Sequence, residues 1–229
     1  MTVKPIRPSL AKIMLNKSPA HAKAALDAGD QHNGSAATQL GSYVDWLAFG
    51  GDEPDVKLSA AVKEKAKKIA YPVIEYLSSR LRGPWTGRLE QNWVTDGGIA
   101  CQGHPDIVYD DHLTVMDLKT ASDTSDYGIT YAIEKYGYDI QLAAYSEAMG
   151  VLHGTSPVVQ LLFVETSEPF ELRVATLDKQ QLGHGMTKWR KACALWKRCH
   201  ETGIWQGRGD LVVSPSKYRK AEDIEIIQD

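Results

Sequence analysis

The twenty residues 101–120, CQGHPDIVYDDHLTVMDLKT, constrain the fold of this chain more than any other stretch. Ile107, Val108 and Tyr109 form a short apolar run, Asp110 to His112 are turn residues, and Leu113 to Leu118 read as a second strand, apolar on both faces. A hairpin with a two-residue loop at Asp111 and His112, or a four-residue loop centred there, places Asp106 opposite Asp117. Opposed side chains share one face, with Cβ atoms roughly 4.5–5.5 Å apart. Alternation along the strand adds Lys119 to that face and turns Leu118 to the other. Two carboxylates so close oppose folding unless positive charge lies between them. A hard divalent cation with a neighbouring lysine meets that need.

Two carboxylates and a lysine at the end of a buried strand are what metal-dependent phosphodiester hydrolysis requires. The carboxylates hold Mg²⁺ or Mn²⁺, the metal lowers the pKa of a bound water and offsets phosphate charge, and the lysine orients that water or helps to deprotonate it. The bland alternative is an ordinary hairpin with a solvated salt bridge, for Asp-x-Lys alone is a weak motif. A surface salt bridge does not need to end a strand as apolar as Leu113–Met116. A zinc site built from Cys101, His104 and His112 lacks a fourth ligand.

The rest of the 229-residue chain is ample for a core, and 43% hydrophobic with 24% charged residues is a globular rather than a disordered composition. No apolar run approaches the roughly 18 residues of a membrane span. MTVKPIRPSL contains no signal-like apolar segment, so a cytoplasmic protein is expected. The three cysteines fit no disulfide framework. A net charge of −3 argues mildly against a chain coated in nucleic acid and leaves room for a local basic channel.

Residues 8–28 read as two helices, the first capped by Ser9 and the second by Ser18 with Pro19 at its first position and His21 in its first turn. After a loop over 29–36, ATQLGSYVDWLAF reads as a helix with Leu40, Val44, Leu47 and Ala48 on one face and Gly41 and Asp45 sharing a side. A long helical stretch follows over 55–83, its Val62, Ala66, Ile69, Val73 and Leu77 facing a core, its lysines 63, 65, 67 and 68 facing solvent, and Pro72 kinking or dividing it. Two strands over 88–109, turning at Asp96-Gly97-Gly98, join residues 113–120 in a three-stranded meander, with Glu90 at its start. A helix over 129–149, ending at Gly150, projects Gln141 and Tyr145 from one face. Strands over 157–165 and 170–177 and a helix over about 178–202 complete the pattern. The expectation is a single α/β (α+β) domain over 1–229: a helical part over about 1–83, a core with a mixed central sheet over about 88–202, and an irregular tail over about 203–229.

Five features now stand in one order: GSYVD, Glu90, Gly103-His104-Pro105-Asp106, Asp117-Leu118-Lys119, and Gln141 with Tyr145. That set resembles the PD-(D/E)XK nuclease superfamily, in the branch holding the RecB and AddB nuclease domains. It is most similar to RecE, exonuclease VIII, and its phage relatives. SPAHAKAAL, GIACQGHPDIV and MDLKTASD look like their RecE counterparts, and the likeness runs from about Ser9 to Pro215. The resemblance implies a restriction-endonuclease-like core. It implies Asp106, Asp117 and the Leu118 carbonyl as ligands of Mg²⁺ or Mn²⁺, Lys119 as the catalytic lysine, Glu90 near the metals, and Gln141 and Tyr145 as supports of the site and DNA. Asp45 stands where the family usually has a histidine ligand and is expected to replace it as a metal ligand, since aspartate is still a hard oxygen donor. Relatives in that branch often hold an iron–sulfur cluster on four cysteines, and this chain has three.

By the same resemblance the chain is a metal-dependent exonuclease. The resemblance implies that it degrades one strand of duplex DNA 5′ to 3′ from an end, as a homo-oligomeric ring, and leaves a 3′ single strand for an annealing protein in recombination. An endonuclease or flap nuclease, and a DNA-binding module without catalysis, remain the alternatives. For a 5′-phosphate pocket only Arg80, Arg82 and Arg88 stand nearby.

Overall fold

The computed structural model describes residues 4–29, 34–79 and 83–209. In chain order these form α1 (Pro8–Asn16), α2 (Pro19–Ala28), α3 (Ala36–Phe49), α4 (Ala60–Ser79), β1 (Trp85–Gly87), β2 (Gln91–Val94), β3 (Ala100–Gly103), β4 (Ile107–Tyr109) and β5 (Thr114–Ala121). Then come α5 (Asp126–Tyr136), α6 (Tyr138–His153), β6 (Val158–Glu165), β7 (Leu172–Thr176) and α7 (Lys179–Thr202). The central sheet has the order β1-β4-β5-β6-β7, with β5 and β6 parallel and the other neighbours antiparallel. This is the mixed α/β architecture that the residue pattern implies.

Helices cover both faces of this sheet, and the alternation along β5 and β6 says why. Val115, Val159, Leu161 and Phe163 join α1, α6 and α7 in one apolar cluster. Met116, Leu118, Leu162 and Val164 join α3 and α4 in the other. A strand buried on both faces must be apolar throughout, as VVQLLFVE nearly is. Asp117 lies between Val115 and Lys119 on the α6 side. Four helix starts are set by side-chain caps: Ser18 accepts from the His21 N–H, Ser35 from Thr38, Ser125 from Gly128 and Asp178 from Gln181.

The β4–β5 hairpin has the expected register, Ile107 opposite Met116 and Val108 opposite Val115. The four-residue loop 110–113 closes it, with His112 at φ 58° donating its N–H to the Tyr109 carbonyl at 2.8 Å. The strand therefore begins at Thr114, one residue later than the apolar pattern indicates.

Elsewhere the structure corrects the reading. Ser9 does not cap α1: the helix begins at Pro8, whose missing N–H is no loss at a first position, and Arg7 precedes it without a side-chain cap bond. The helix expected over 55–83 begins only at Ala60, and Pro72 does not divide it. Ala66, Ile69 and Ala70 before the proline and Val73 after it all bury against the sheet, which outweighs the one lost hydrogen bond. The stretch 129–149 is two helices. Gly137, at φ 63°, terminates α5, and α6 runs through Gly150 to end at Gly154, also left-handed.

The three-stranded meander does not form. β2 and β3 pair with each other in a separate two-stranded sheet. Pro105 has no N–H and restricts His104, so the pairing of β3 cannot run on into β4. The other edge of β3 is taken by the N-terminal segment, where Ile6 donates to the Ala100 carbonyl and accepts from the Gln102 N–H. The edge partner of β4 is instead β1, Trp85 to Gly87, which no periodicity announces in three residues. Among the described residues no helix is long and apolar enough to cross a membrane.

Helices α6 and α7 pack tightly at Gly185, which is buried; a Cβ there would clash with the Asp139 carbonyl oxygen. Gly183, two residues earlier on the same helix, has open space around it. Gly185→Ala is expected to destabilise the fold by about 1–3 kcal/mol. Gly183→Ala is expected to leave stability unchanged or raise it by up to about 1 kcal/mol. Denaturant unfolding of the two variants checks the contrast.

Candidate active site

Asp106, just before β4, and Asp117 and Lys119, on β5, converge on one cleft of about 560 Å³ that Asp45, Leu118 and Gln141 also line. Asp117 is 2% exposed, and its two carboxylate oxygens have different partners. Oδ2 is in an ion pair with the Lys119 ammonium. Oδ1 accepts from Gln141 Nε2 at 3.1 Å. The same Nε2 lies 2.9 Å from Tyr145 Oη, and that hydroxyl donates to the His104 carbonyl at 3.1 Å. Gln141 and Tyr145, one helical turn apart on α6, thus tie β5 to the segment leading into β4. Gly103 makes room for this: a Cβ there would meet the Tyr145 ring at 2.9 Å.

Asp106 Oδ2 accepts the Leu118 N–H at 2.7 Å. Burial, and then the charges of Asp117 and Asp45, push its carboxyl well above the usual range, against the opposing pull of Lys119 and the Leu118 N–H. Burial works against the Lys119 ammonium, but Asp117 and Asp106 outweigh it and raise its pKa. Burial raises the Tyr145 hydroxyl well above its ordinary value, so it is a neutral donor here.

Two of the residues singled out by the sequence sit differently. Asp45 reaches the cleft from α3, one turn along the same side from Gly41, but its carboxylate is in an ion pair with Arg88. Burial raises its pKa and Arg88 opposes the rise. Arg88 also donates to the Gly50 carbonyl at 2.9 Å, and its own N–H donates to the Asp106 carbonyl at 3.0 Å. Its backbone is left-handed, φ 50°, an uncommon state for an arginine. Glu90 lies outside the cleft lining. It is exposed, accepts from Asn92 at 2.7 Å and Gln102 at 3.2 Å, and sits 3.9 Å from His104 Nε2. Those hydrogen bonds hold its carboxyl below the usual range. Glu90 immediately precedes β2, which lies in the separate β2–β3 sheet. Arg80 and Arg82 lie outside the described residues.

Among the described residues no three His, Cys, Asp or Glu side chains gather as a metal-binding group. The cleft offers the carboxylates of Asp106 and Asp117, while that of Asp45 is held by Arg88. That suits a hard cation that keeps several waters, as Mg²⁺ does. Burial and then the neighbouring carboxylate charges raise the Asp106 carboxyl, and such a cation would neutralise those charges. Cys101, His104 and His112 are separated: Cys101 is in the core, His104 is on the cleft, and the His112 ring packs on His153 with centroids 3.7 Å apart.

Sequence reasoning missed Lys12. From α1 its Nζ reaches Gln141 Oε1 at 3.4 Å, which leaves the Gln141 amide nitrogen turned towards Asp117. Burial, then the Lys119 charge, push Lys12 down to about 8. Lys12 and Lys119 both stand over the Tyr138 ring, 5.4 and 5.0 Å from its centroid. The only signal was a lysine flanked by the buried Leu10, Ala11 and Met14.

Comparison with known proteins places this geometry in a family. Residues 86–212, more than half of the chain, match the family described as "PDDEXK-like domain of unknown function (DUF3799)". The chain belongs to that family. The match agrees with the superfamily resemblance read from the motifs. A crystal structure described as a "Putative exonuclease" from Eubacterium rectale superposes with a TM-score of 0.72 at 17% identity, over 93% of this chain and 90% of that one. An alkaline exonuclease from Laribacter hongkongensis aligns more weakly, with a TM-score of 0.47 at 12% identity over 87% of this chain and 91% of that one. The first of these supports the fold. No curated protein matches the sequence.

The Asp106 shift has a pH signature. In metal-free protein a carboxyl with a raised folded pKa stabilises the fold below its unfolded pKa, about 4, and that contribution is lost as pH rises through the folded value. Asp106→Asn keeps an acceptor for the Leu118 N–H and carries no charge. Without divalent ions it is expected to melt above the wild type at pH 7 to 8, with the difference shrinking as the pH falls towards 4. Added Mg²⁺ should stabilise the wild type and not the variant. Thermal melts across pH, with and without Mg²⁺, measure both effects.

Proposed function

We propose that this chain is a metal-dependent DNA exonuclease, with Asp106, Asp117 and Lys119 at its catalytic centre. The observation that carries the reading is the convergence of those three groups on one cleft, with Asp117 buried and bound on both oxygens. Membership of a PDDEXK-like family and a fold shared with a protein described as an exonuclease support it.

The Asp106 and Asp117 carboxylates and the Leu118 carbonyl would hold Mg²⁺ or Mn²⁺. When bound, the cation lowers the pKa of its water and offsets charge on the scissile phosphate. Lys119, its ammonium favoured by both carboxylates, orients the attacking water and faces the charge that grows on the phosphoryl oxygens. Gln141 fixes the Asp117 carboxylate, and Tyr145 fixes Gln141. Asp45 belongs to the site through Arg88: the pair is neutral, and it ties α3 to the backbone of Asp106. Glu90 meets the site through His104, 3.9 Å from its Nε2.

The finer reading follows the RecE resemblance. The substrate is a linear duplex end, the polarity is 5′ to 3′, and the product is a 3′ single strand passed to an annealing protein. A homo-oligomeric ring, each copy one nuclease domain over 1–229, would supply processivity because a closed ring need not release DNA between cuts.

Purified protein with Mg²⁺ or Mn²⁺ should degrade end-labelled linear duplex and leave covalently closed circular DNA intact. Nicking or linearisation of the circle would favour an endonuclease. Lys119→Ala is expected to lower the rate by about 10²–10⁴-fold. In metal-free protein its melting temperature should fall, because Asp117 loses its ion pair, and saturating Mg²⁺ should recover most of that loss. An unchanged rate in that variant would remove Lys119 from the chemistry.

A further inference from the structure

The surface of α5 carries a feature that packing does not explain. Three of its tyrosines stand in solvent: Tyr127 is 77% exposed, Tyr131 50% and Tyr136 49%. The helix buries Ile129, Ala132 and Ile133 instead, so the tyrosines are not core residues at a frayed edge. They are also not scattered. The rings of Tyr127 and Tyr131 stack, with centroids 6.1 Å apart and planes 10° from parallel. Lys135 Nζ lies 5.1 Å from the centre of the Tyr131 ring and 5.3 Å from that of Tyr136. Tyr136 is 5.7 Å from Tyr138, and both line the cleft that holds Asp117 and Lys119. Lys119 itself stands over Tyr138 at 5.0 Å. The result is an unbroken track of four rings and one bridging lysine, from the candidate catalytic lysine out to open solvent.

We propose that this track binds single-stranded nucleic acid, its bases stacking on the exposed rings as the strand enters or leaves the cleft. The inference deepens the nuclease reading of the same cleft and rests on it. Every base has a π face, so a run of tyrosines accepts any sequence, which suits a nuclease without sequence preference. A duplex cannot use such a platform, because its bases are already stacked on one another. The charges on the helix point the same way. Asp126 is paired with Arg173 at 2.8 Å, and Glu134 is exposed beside Lys135, so α5 offers no cationic rail for a phosphate backbone. Attachment is through the bases, and its dependence on salt is correspondingly shallow.

The test separates the track from the chemistry. The probe is a fluorescein-labelled thymidine 20-mer, titrated by anisotropy without divalent ions against the wild type, Tyr127→Ala/Tyr131→Ala and Tyr127→Phe/Tyr131→Phe. The alanine pair is expected to bind on the order of 10–100-fold more weakly, and the phenylalanine pair within about threefold of wild type. The salt slope should be the same for all three. Hydrolysis of bis(p-nitrophenyl) phosphate, which has no base to stack, should be equal in the three proteins. Equal oligonucleotide affinity in the wild type and the alanine pair overturns the track. So does a phenylalanine pair as weak as the alanine pair, since stacking needs the ring and not the hydroxyl. A wild type that binds the oligonucleotide but hydrolyses neither the diester nor DNA overturns the nuclease reading and leaves the track standing.

Discussion

The structure depends on a repulsion. Asp106 and Asp117 are brought side by side by the register of one hairpin, in a part of the sheet covered by helices. Nothing local relieves the conflict completely: the Lys119 ammonium neutralises Asp117, and Asp106 is left with one backbone N–H and a strongly raised pKa. A chain under selection for stability alone would place apolar residues there, because β5 is apolar before Asp117 and β6 beside it is apolar almost throughout. The cost of two buried carboxylates is carried by the surrounding fold, which is the usual sign of a site whose charge serves chemistry.

What holds the carboxylates in place comes from parts of the chain far from the hairpin. Gln141 and Tyr145 reach in from α6 and Lys12 from α1, while Arg88 joins Asp45 of α3 to the Asp106 carbonyl. Helices α1, α3 and α6 thus each contribute a polar group as well as apolar area. This divides the work between the two faces of the sheet. Val159, Leu161 and Phe163 on one face and Leu162 and Val164 on the other anchor the parallel pair β5–β6, and the end of β5 projects its charges from that rigid base. A site built on a strand held from both sides keeps its geometry better than one built on loops.

The Asp45–Arg88 pair bears on how this family member departs from the pattern it resembles. A carboxylate added to two others would raise the repulsion further, and burial already makes Asp45 reluctant to ionise. Arg88 removes most of that conflict by supplying a guanidinium from the segment before β2, at the expense of a left-handed arginine backbone. The pair as a unit is neutral, so the third position contributes shape and tethering to the cleft without adding net charge.

The sequence by itself determined the local facts. Period-two alternation with a turn at 110–113 set the β4–β5 register and hence the meeting of Asp106 and Asp117. Spacing of one helical turn put Gln141 beside Tyr145, and Ser18 followed by Pro19 marked the start of α2. These are short-range consequences of side-chain direction, which composition and spacing carry directly. Only the tertiary structure decided which strands pair across long separations and which distant side chains meet. β1 is too short for any period to register, and it became the edge partner of β4 because Pro105 blocked the pairing of β3 from continuing. Pro72 stayed inside a helix because the sheet rewarded both of its flanks, whereas Gly137, inconspicuous in an apolar pattern, broke one through its left-handed backbone. Lys12 in the site, Arg88 on Asp45 and Glu90 outside the cleft are likewise products of packing. Their positions depend on contacts between elements far apart in the chain, and no local periodicity encodes those.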